Sequence, residues 1–166
     1  GTEPHPELMR ENPLGKIPAL VTDDGRALYD SRVISRYLDD LSDAGLYPTG
    51  AALWDVLTLE ATADGIMDAA VLMILESRVR PEEKRFADWT DAQWGKVTRA
   101  LDAVEDRWIP ALSEPVNMAQ IALGCALSYI DFRFGDRPWR AERPRLAAWH
   151  AAFSDRPTMQ ATRPPG

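Results

Sequence analysis

Residues 11–38 read ENPLGKIPALVTDDGRALYDSRVISRYL, and the fold turns on them. Two short β-like runs, 17–21 and 27–29, flank Thr22-Asp23-Asp24-Gly25-Arg26. An Asp-Gly pair between apolar runs predicts a hairpin. Asp30 or Ser31 then offers a helix cap, and Val33, Ile34, Tyr37, Leu38 and Leu41 recur at helical spacing. Pro18 is the discordant residue, because proline has no N–H to give to a strand ladder. On its own it reads as the first residue of an edge strand.

Outward from this stretch the texture changes. Residues 1–43 mix turns, short strands and one helix, and 44–50 read as a linker through Leu46-Tyr47-Pro48-Thr49-Gly50. Residues 51–166 are almost entirely helical patterns. The first long helix is expected over about 51–79. It carries one stripe of Met67, Ala70, Val71, Ile74 and Leu75 and another of Leu59, Ala63, Ile66 and Met73, so both sides are expected to meet neighbours. Thr90-x-x-Gln93 predicts the start of the next helix as a capping box, with Trp89 and Trp94 as its staple. Pro110 is expected to bend or end that helix near Leu112. Asn117-x-x-Gln120 predicts a third start, and 118–130 is apolar nearly all round, which suits a central helix. A last helix is expected after Pro144, with Leu146, Trp149 and Phe153 inward, and residues 156–166 are expected to wrap the surface.

The 166 residues are 45% hydrophobic and 27% charged, the mix of a soluble globular chain. The net charge of −7 disfavours nonspecific binding to nucleic acid or to anionic lipid. No apolar run approaches the ~20 residues that span a bilayer. The single cysteine, Cys125, excludes an internal disulfide and a cysteine-only metal site, and it fits a reducing cytosol. In its apolar stretch it reads as an inert small hydrophobe. His5 and His150 lack a metal-ligand spacing, and His150 reads as a packed or surface residue. No phosphate loop, Ser-His-Asp set or metal cluster is visible.

The order Asn12-Pro13-Leu14-Gly15-Lys16-Ile17-Pro18, hairpin, Asp30-Ser31, helix, linker, all-helical domain resembles the cytosolic glutathione S-transferases of bacteria. The helix after Asn117 resembles the buried, box-capped helix of their second domain. The resemblance implies an α+β protein: part of a thioredoxin-like α/β domain at 1–43, a linker at 44–50, and an all-α domain at 51–166.

It also gives Pro18 a task. In this family a cis-proline precedes the third strand, and a cis X-Pro bond costs only about 0.5–1 kcal/mol. The turn leaves the N–H and C=O of Ile17 to pair with the cysteinyl main chain of glutathione, as a short β-augmentation. Ser31, at a helix N-terminus, is implied to hold the γ-glutamyl carboxylate, with Asp30 near the ammonium group. The family often has Glu before this serine, so Asp30 has the shorter reach. Lys16 is implied to meet the glycyl carboxylate. Asp64 is implied to reach glutathione in the partner subunit of a homodimer. Val71 and Leu72 are implied to line the site of the second substrate.

The family's first domain opens with strand, helix and strand, and its catalytic Tyr, Ser or Cys sits at the first strand-helix junction. Only 16 residues precede Ile17, too few for a β-α-β unit of roughly 30. The catalytic residue is therefore expected upstream of Gly1, unless a partner chain fills the gap. The implied protein is a cytoplasmic, detoxifying transferase or a glutathione-dependent reductase or peroxidase. Its partners are glutathione and a small electrophile or disulfide, with no metal, nucleic acid or membrane. A noncatalytic interaction module of the same fold is the alternative.

Overall fold

A computed structural model describes residues 4–113 and 115–164. The chain separates into two compact units, Gly1–Pro48 and Thr49–Gly166.

The first unit holds α1 (Pro6–Glu11), β1 (Leu20–Val21), β2 (Ala27–Leu28) and α2 (Ser31–Ser42). Pro6 opens α1, where its missing N–H costs nothing, and the His5 ring accepts the Glu7 N–H. β1 and β2 pair antiparallel with Leu20 opposite Leu28 and Val21 opposite Ala27. The ladder is shorter than the apolar runs suggest, and Ile17 lies outside it, 82% exposed. Thr22, Asp24 and Arg26 close the hairpin tip through side-chain hydrogen bonds. The apolar stripe of α2 is open: Val33, Leu38 and Leu41 are exposed, and no residue of this helix is buried. Among the described residues of this unit the buried one is polar, Asn12.

The second unit holds α3 (Ala52–Arg78), a 3-10 turn (Glu82–Lys84), α4 (Ala87–Ala103), a π turn (Val104–Trp108), a 3-10 turn (Ile109–Ser113), α5 (Met118–Arg133), α6 (Pro144–Ser154) and α7 (Pro157–Ala161). α3 packs on α4 and α5 through Leu59, Ala63, Ile66, Ala70 and Met73. Its other stripe departs from expectation in part, since Ala70 is buried but Val71 and Leu75 are exposed. Leu123, Ala126, Leu127 and Ile130 of α5 fill the centre with Val97, Leu101, Val104 and Leu146.

Two local expectations are corrected. α4 begins at Ala87, so Thr90 lies inside it and its hydroxyl donates to the Phe86 carbonyl. The entry is fixed from α3 instead: buried Glu76 accepts the Phe86 N–H at 2.9 Å and the Arg80 Nε–H at 2.7 Å. A carboxylate ten residues away thus overrides the local capping box. Residues 157–161 of the tail form α7, with no buried residue, in keeping with a tail at the surface, and residues 165–166 of that expectation lie outside the described part. Cys125 is exposed on the open side of α5, so this helix is not enclosed all round.

The capping expectation at α5 matches the structure: Asn117 Oδ1 accepts the Gln120 N–H at 3.2 Å. The π turn after α4 turns Glu105 inward. Its carboxylate accepts the Leu146 N–H at 2.7 Å and the Arg145 Nε–H at 3.0 Å, capping the start of α6. Burial disfavours this charge, yet those donors hold the Glu105 carboxyl below its ordinary value. Among the described residues no helix is long and apolar enough to cross a membrane.

Candidate functional site

Lys16 and the turn leading to Ile17 are held by one side chain. Asn12 Nδ2 donates to the Lys16 carbonyl at 2.7 Å, and Asn12 Oδ1 accepts the Leu14 N–H at 3.0 Å. Its own carbonyl accepts the Gly15 N–H at 2.8 Å. The turn needs Gly15 at φ +60°, where a Cβ would also meet Pro4 at 2.4 Å. Four residues are thereby fixed immediately before Ile17. The Ile17–Pro18 peptide is cis, and no backbone hydrogen bond ties the Ile17 N–H or C=O to a described residue.

The hairpin then brings the second group of residues alongside. Leu20 pairs with Leu28, so the residues just before β1 and just after β2 both lie at the open end of the hairpin. Asp30 caps α2, with Oδ1 accepting the Arg32 N–H at 3.2 Å and Oδ2 lying 3.5 Å from the Arg32 guanidinium. With the cap supplied by Asp30, Ser31 is exposed at the first position of the helix. Lys16 is exposed as well. Lys16, Ile17, Pro18, Asp30 and Ser31 therefore share one end of the hairpin. Asn12 is the residue whose role the sequence did not disclose. Its only signal was its place in the Asn-Pro-x-Gly motif.

Asp64, Val71 and Leu72 lie on α3 in the second unit. Asp64 is half-buried, while Val71 and Leu72 are exposed.

The second unit also assembles a cluster that sequence spacing hides. His150 of α6 is buried, with Nε2 3.1 Å from Ser128 Oγ of α5 and Nδ1 3.8 Å from Asp131 Oδ2. The three residue types are those of a nucleophile set, but the hydrogen bonds run the wrong way. Arg140 Nη2 lies 3.4 Å from His150 Nδ1 and can only donate, so the ring proton belongs on Nε2. The Gly124 carbonyl, one turn before Ser128, faces the ring. A ring nitrogen that already carries a proton cannot take one from Ser128. Asp131 accepts from Trp139 Nε1 at 2.9 Å and from Arg140 Nη1 at 2.6 Å. Burial opposes its charge, and the bonds from Arg140 and Trp139 outweigh that, holding the Asp131 carboxyl below its usual value. Burial pushes the His150 pKa down, with Asp131 opposing and Arg140 adding to the effect.

Cys125 borders a cavity of about 250 Å³ with Met67, Tyr129, Ser154 and Met159. Although the residue lies at the surface, the protein packed around its sulfur raises the thiol pKa, which disfavours the reactive thiolate. Among the described residues no three His, Cys, Asp or Glu side chains gather as a metal site.

Residues 1–41 match the N-terminal domain of glutathione S-transferases, and residues 87–152 match their C-terminal domain. A glutathione transferase family member from Pseudomonas fluorescens Pf-5, solved with bound glutathione, superposes with a TM-score of 0.94 at 48% identity. The match covers 98% of this chain and 80% of that one. The uncharacterized GST-like protein YibF of Escherichia coli (strain K12) is 34% identical over 158 residues, 93% of this chain and 78% of that protein. Elongation factor 1-gamma of Homo sapiens is 23% identical over 156 residues, 94% of this chain and 36% of that protein. The α+β architecture is accordingly a thioredoxin-like remnant followed by an all-α domain. With both domains matched in order and a bacterial relative matched over most of its length, the chain belongs to the glutathione S-transferase family.

Proposed function

We propose that the protein binds glutathione and directs its thiolate at a small electrophile or a disulfide. The observation that carries this reading is the Asn12-fixed turn, which presents an Ile17 backbone with no backbone partner among the described residues at the end of the hairpin where α2 begins. A relative 48% identical was solved with glutathione bound.

In this reading the Ile17 N–H and C=O pair with the cysteinyl main chain of the peptide. The γ-glutamyl carboxylate lies at the N-terminus of α2, against Ser31 and the free N–H groups there. Asp30 Oδ2 takes the ammonium group, sharing it with Arg32. Lys16 answers the glycyl carboxylate. In a cytoplasmic homodimer Asp64 reaches the glutathione of the partner subunit, and Val71 and Leu72 line the second substrate's site. Catalysis rests on raising the thiolate fraction of glutathione at neutral pH. That activation is assigned to none of the 166 residues.

Thermal unfolding with and without glutathione tests the proposal. At ten times the dissociation constant, binding stabilises the native protein by about 1.4 kcal/mol, seen as a rise in Tm. Ser31→Ala is expected to weaken binding about tenfold, the scale of one charge-assisted hydrogen bond, which lowers the stabilisation at the same glutathione concentration to about 0.4 kcal/mol. An unchanged Tm at millimolar glutathione overturns the proposal. That outcome favours the second reading, a noncatalytic interaction module, for which the match to elongation factor 1-gamma over 94% of this chain speaks.

A further inference from the structure

The cluster around His150 does not serve as a nucleophile set, and the proposed glutathione site leaves it unused. It joins α5, the segment before α6, and α6 itself. It borders an open groove of about 570 Å³ lined in part by Ser128, Asp131, Phe132, Arg140, His150 and Arg163.

We propose that His150 operates a proton-driven latch: a proton taken from solvent onto Nδ1 transfers Asp131 from Arg140 to His150, and Arg140 swings out of the groove. Protonation would set two cations against one carboxylate, which Arg140 already grips through Nη1 on Oδ1 at 2.6 Å, and their repulsion favours release of one of them. Arg140 Nη2 stands 2.5 Å from Asp131 Oδ2 and 3.4 Å from His150 Nδ1. It serves both acceptors only while Nδ1 keeps its lone pair. Once Nδ1 carries a proton, two donors face each other and one carboxylate oxygen lies within reach of both, 3.8 Å from Nδ1.

Exposure decides which donor leaves. The His150 side chain is 5% exposed and tied to Ser128 on its other nitrogen, whereas the Arg140 side chain is 49% exposed. A guanidinium rehydrates where a buried imidazolium cannot. Trp139, buried beneath Arg140 with its indole N–H on Asp131 Oδ1, keeps the carboxylate in place through the exchange.

The groups facing His150 are few. From α5 come Asp131, the Ser128 hydroxyl and the Gly124 carbonyl; from the segment before α6 come Arg140 and Trp139; from the tail comes Arg163. Glu105, on the π turn packed against α6, is engaged by Arg145 and the Leu146 N–H. Burial and Arg140 both disfavour the imidazolium, so the latch stays closed at neutral pH and opens on acidification.

The test is an NMR titration of the whole protein, following the His150 ring, the Trp139 indole N–H and the Arg140 guanidinium protons. His150→Gln identifies the ring signals. The expected result is one shared midpoint for all three reporters, below the ordinary imidazole value. The Arg140 protons exchange slowly with water above that midpoint and rapidly below it. Arg140→Gln is expected to shift the His150 midpoint upward. Arg140→Lys is expected to keep a coupled transition, and it stands in if the glutamine variant does not fold. Arg140 protons that exchange equally on both sides of the midpoint overturn the latch. So does a His150 midpoint that is unmoved in Arg140→Gln.

Discussion

Asn12 shows how much one buried amide can organise. It is 2% exposed in a unit whose other described residues are more open, and it satisfies a donor and an acceptor two residues apart. Burying a polar side chain is favourable only when its hydrogen bonds are complete, and here they are. Asn12→Ala strips partners from the Leu14 N–H and the Lys16 carbonyl. It is expected to destabilise the first unit by about 1–3 kcal/mol. Asn12→Asp keeps the acceptor, loses the donor, and is expected to fall between. Amide exchange of Leu14 and Gly15 measures both effects. If the turn presents Ile17 as proposed, the alanine variant also loses the glutathione-dependent rise in Tm.

At the scale of elements, the approach of α6 to α5 is set by a glycine. A Cβ on Gly124 would lie 2.8 Å from two ring carbons of Phe153, which itself stacks on Trp149 at 4.8 Å. Trp149 is held in turn by its indole N–H on the Leu112 carbonyl at 3.1 Å. The ring therefore has little room to retreat. Gly124→Ala is expected to cost about 1–3 kcal/mol, the range for overpacking a filled core, although alanine is the better helix former. Denaturant unfolding gives the number. A stabilised variant refutes the close-contact account. The same approach places His150 against the Gly124 carbonyl and Ser128, so the His150 environment in Gly124→Ala should change as well.

At the scale of the whole molecule, the two units differ in how they are built. The second has a continuous apolar core drawn from α3, α4, α5 and α6. The first has a two-stranded sheet, an open helix stripe and no buried apolar side chain among its described residues. A hairpin with one long helix has little to protect it from local opening. Hydrogen exchange is therefore expected to be slow at the centres of α3 and α5 and fast throughout residues 4–48. Equal protection in both units contradicts this account. Glutathione should slow exchange around residues 16–18 and 30–32.

The sequence by itself determined what short-range forces decide. The Asp24-Gly25 hairpin, the Asp30 cap, the Asn117 cap and the Leu59, Ala63, Ile66 and Met73 stripe of α3 each depend on residues within a few turns. They were legible because the hydrogen bond or the apolar stripe lies within the pattern that announces it. The tertiary structure decided the rest. Glu76 moved the start of α4 from ten residues away, against a good local capping box. Asp131, Arg140 and His150 met across 9 to 22 residues counted from Ser128 and Asp131, with no spacing rule to predict it. Cys125 and Val71 faced outward although their segments are apolar, because helix neighbours and not composition set which side is covered. The proposed site divides the same way. The residues that end the hairpin and begin α2 could be named from the chain, while the side chain that fixes their turn, Asn12, showed its role only once its two hydrogen bonds were seen.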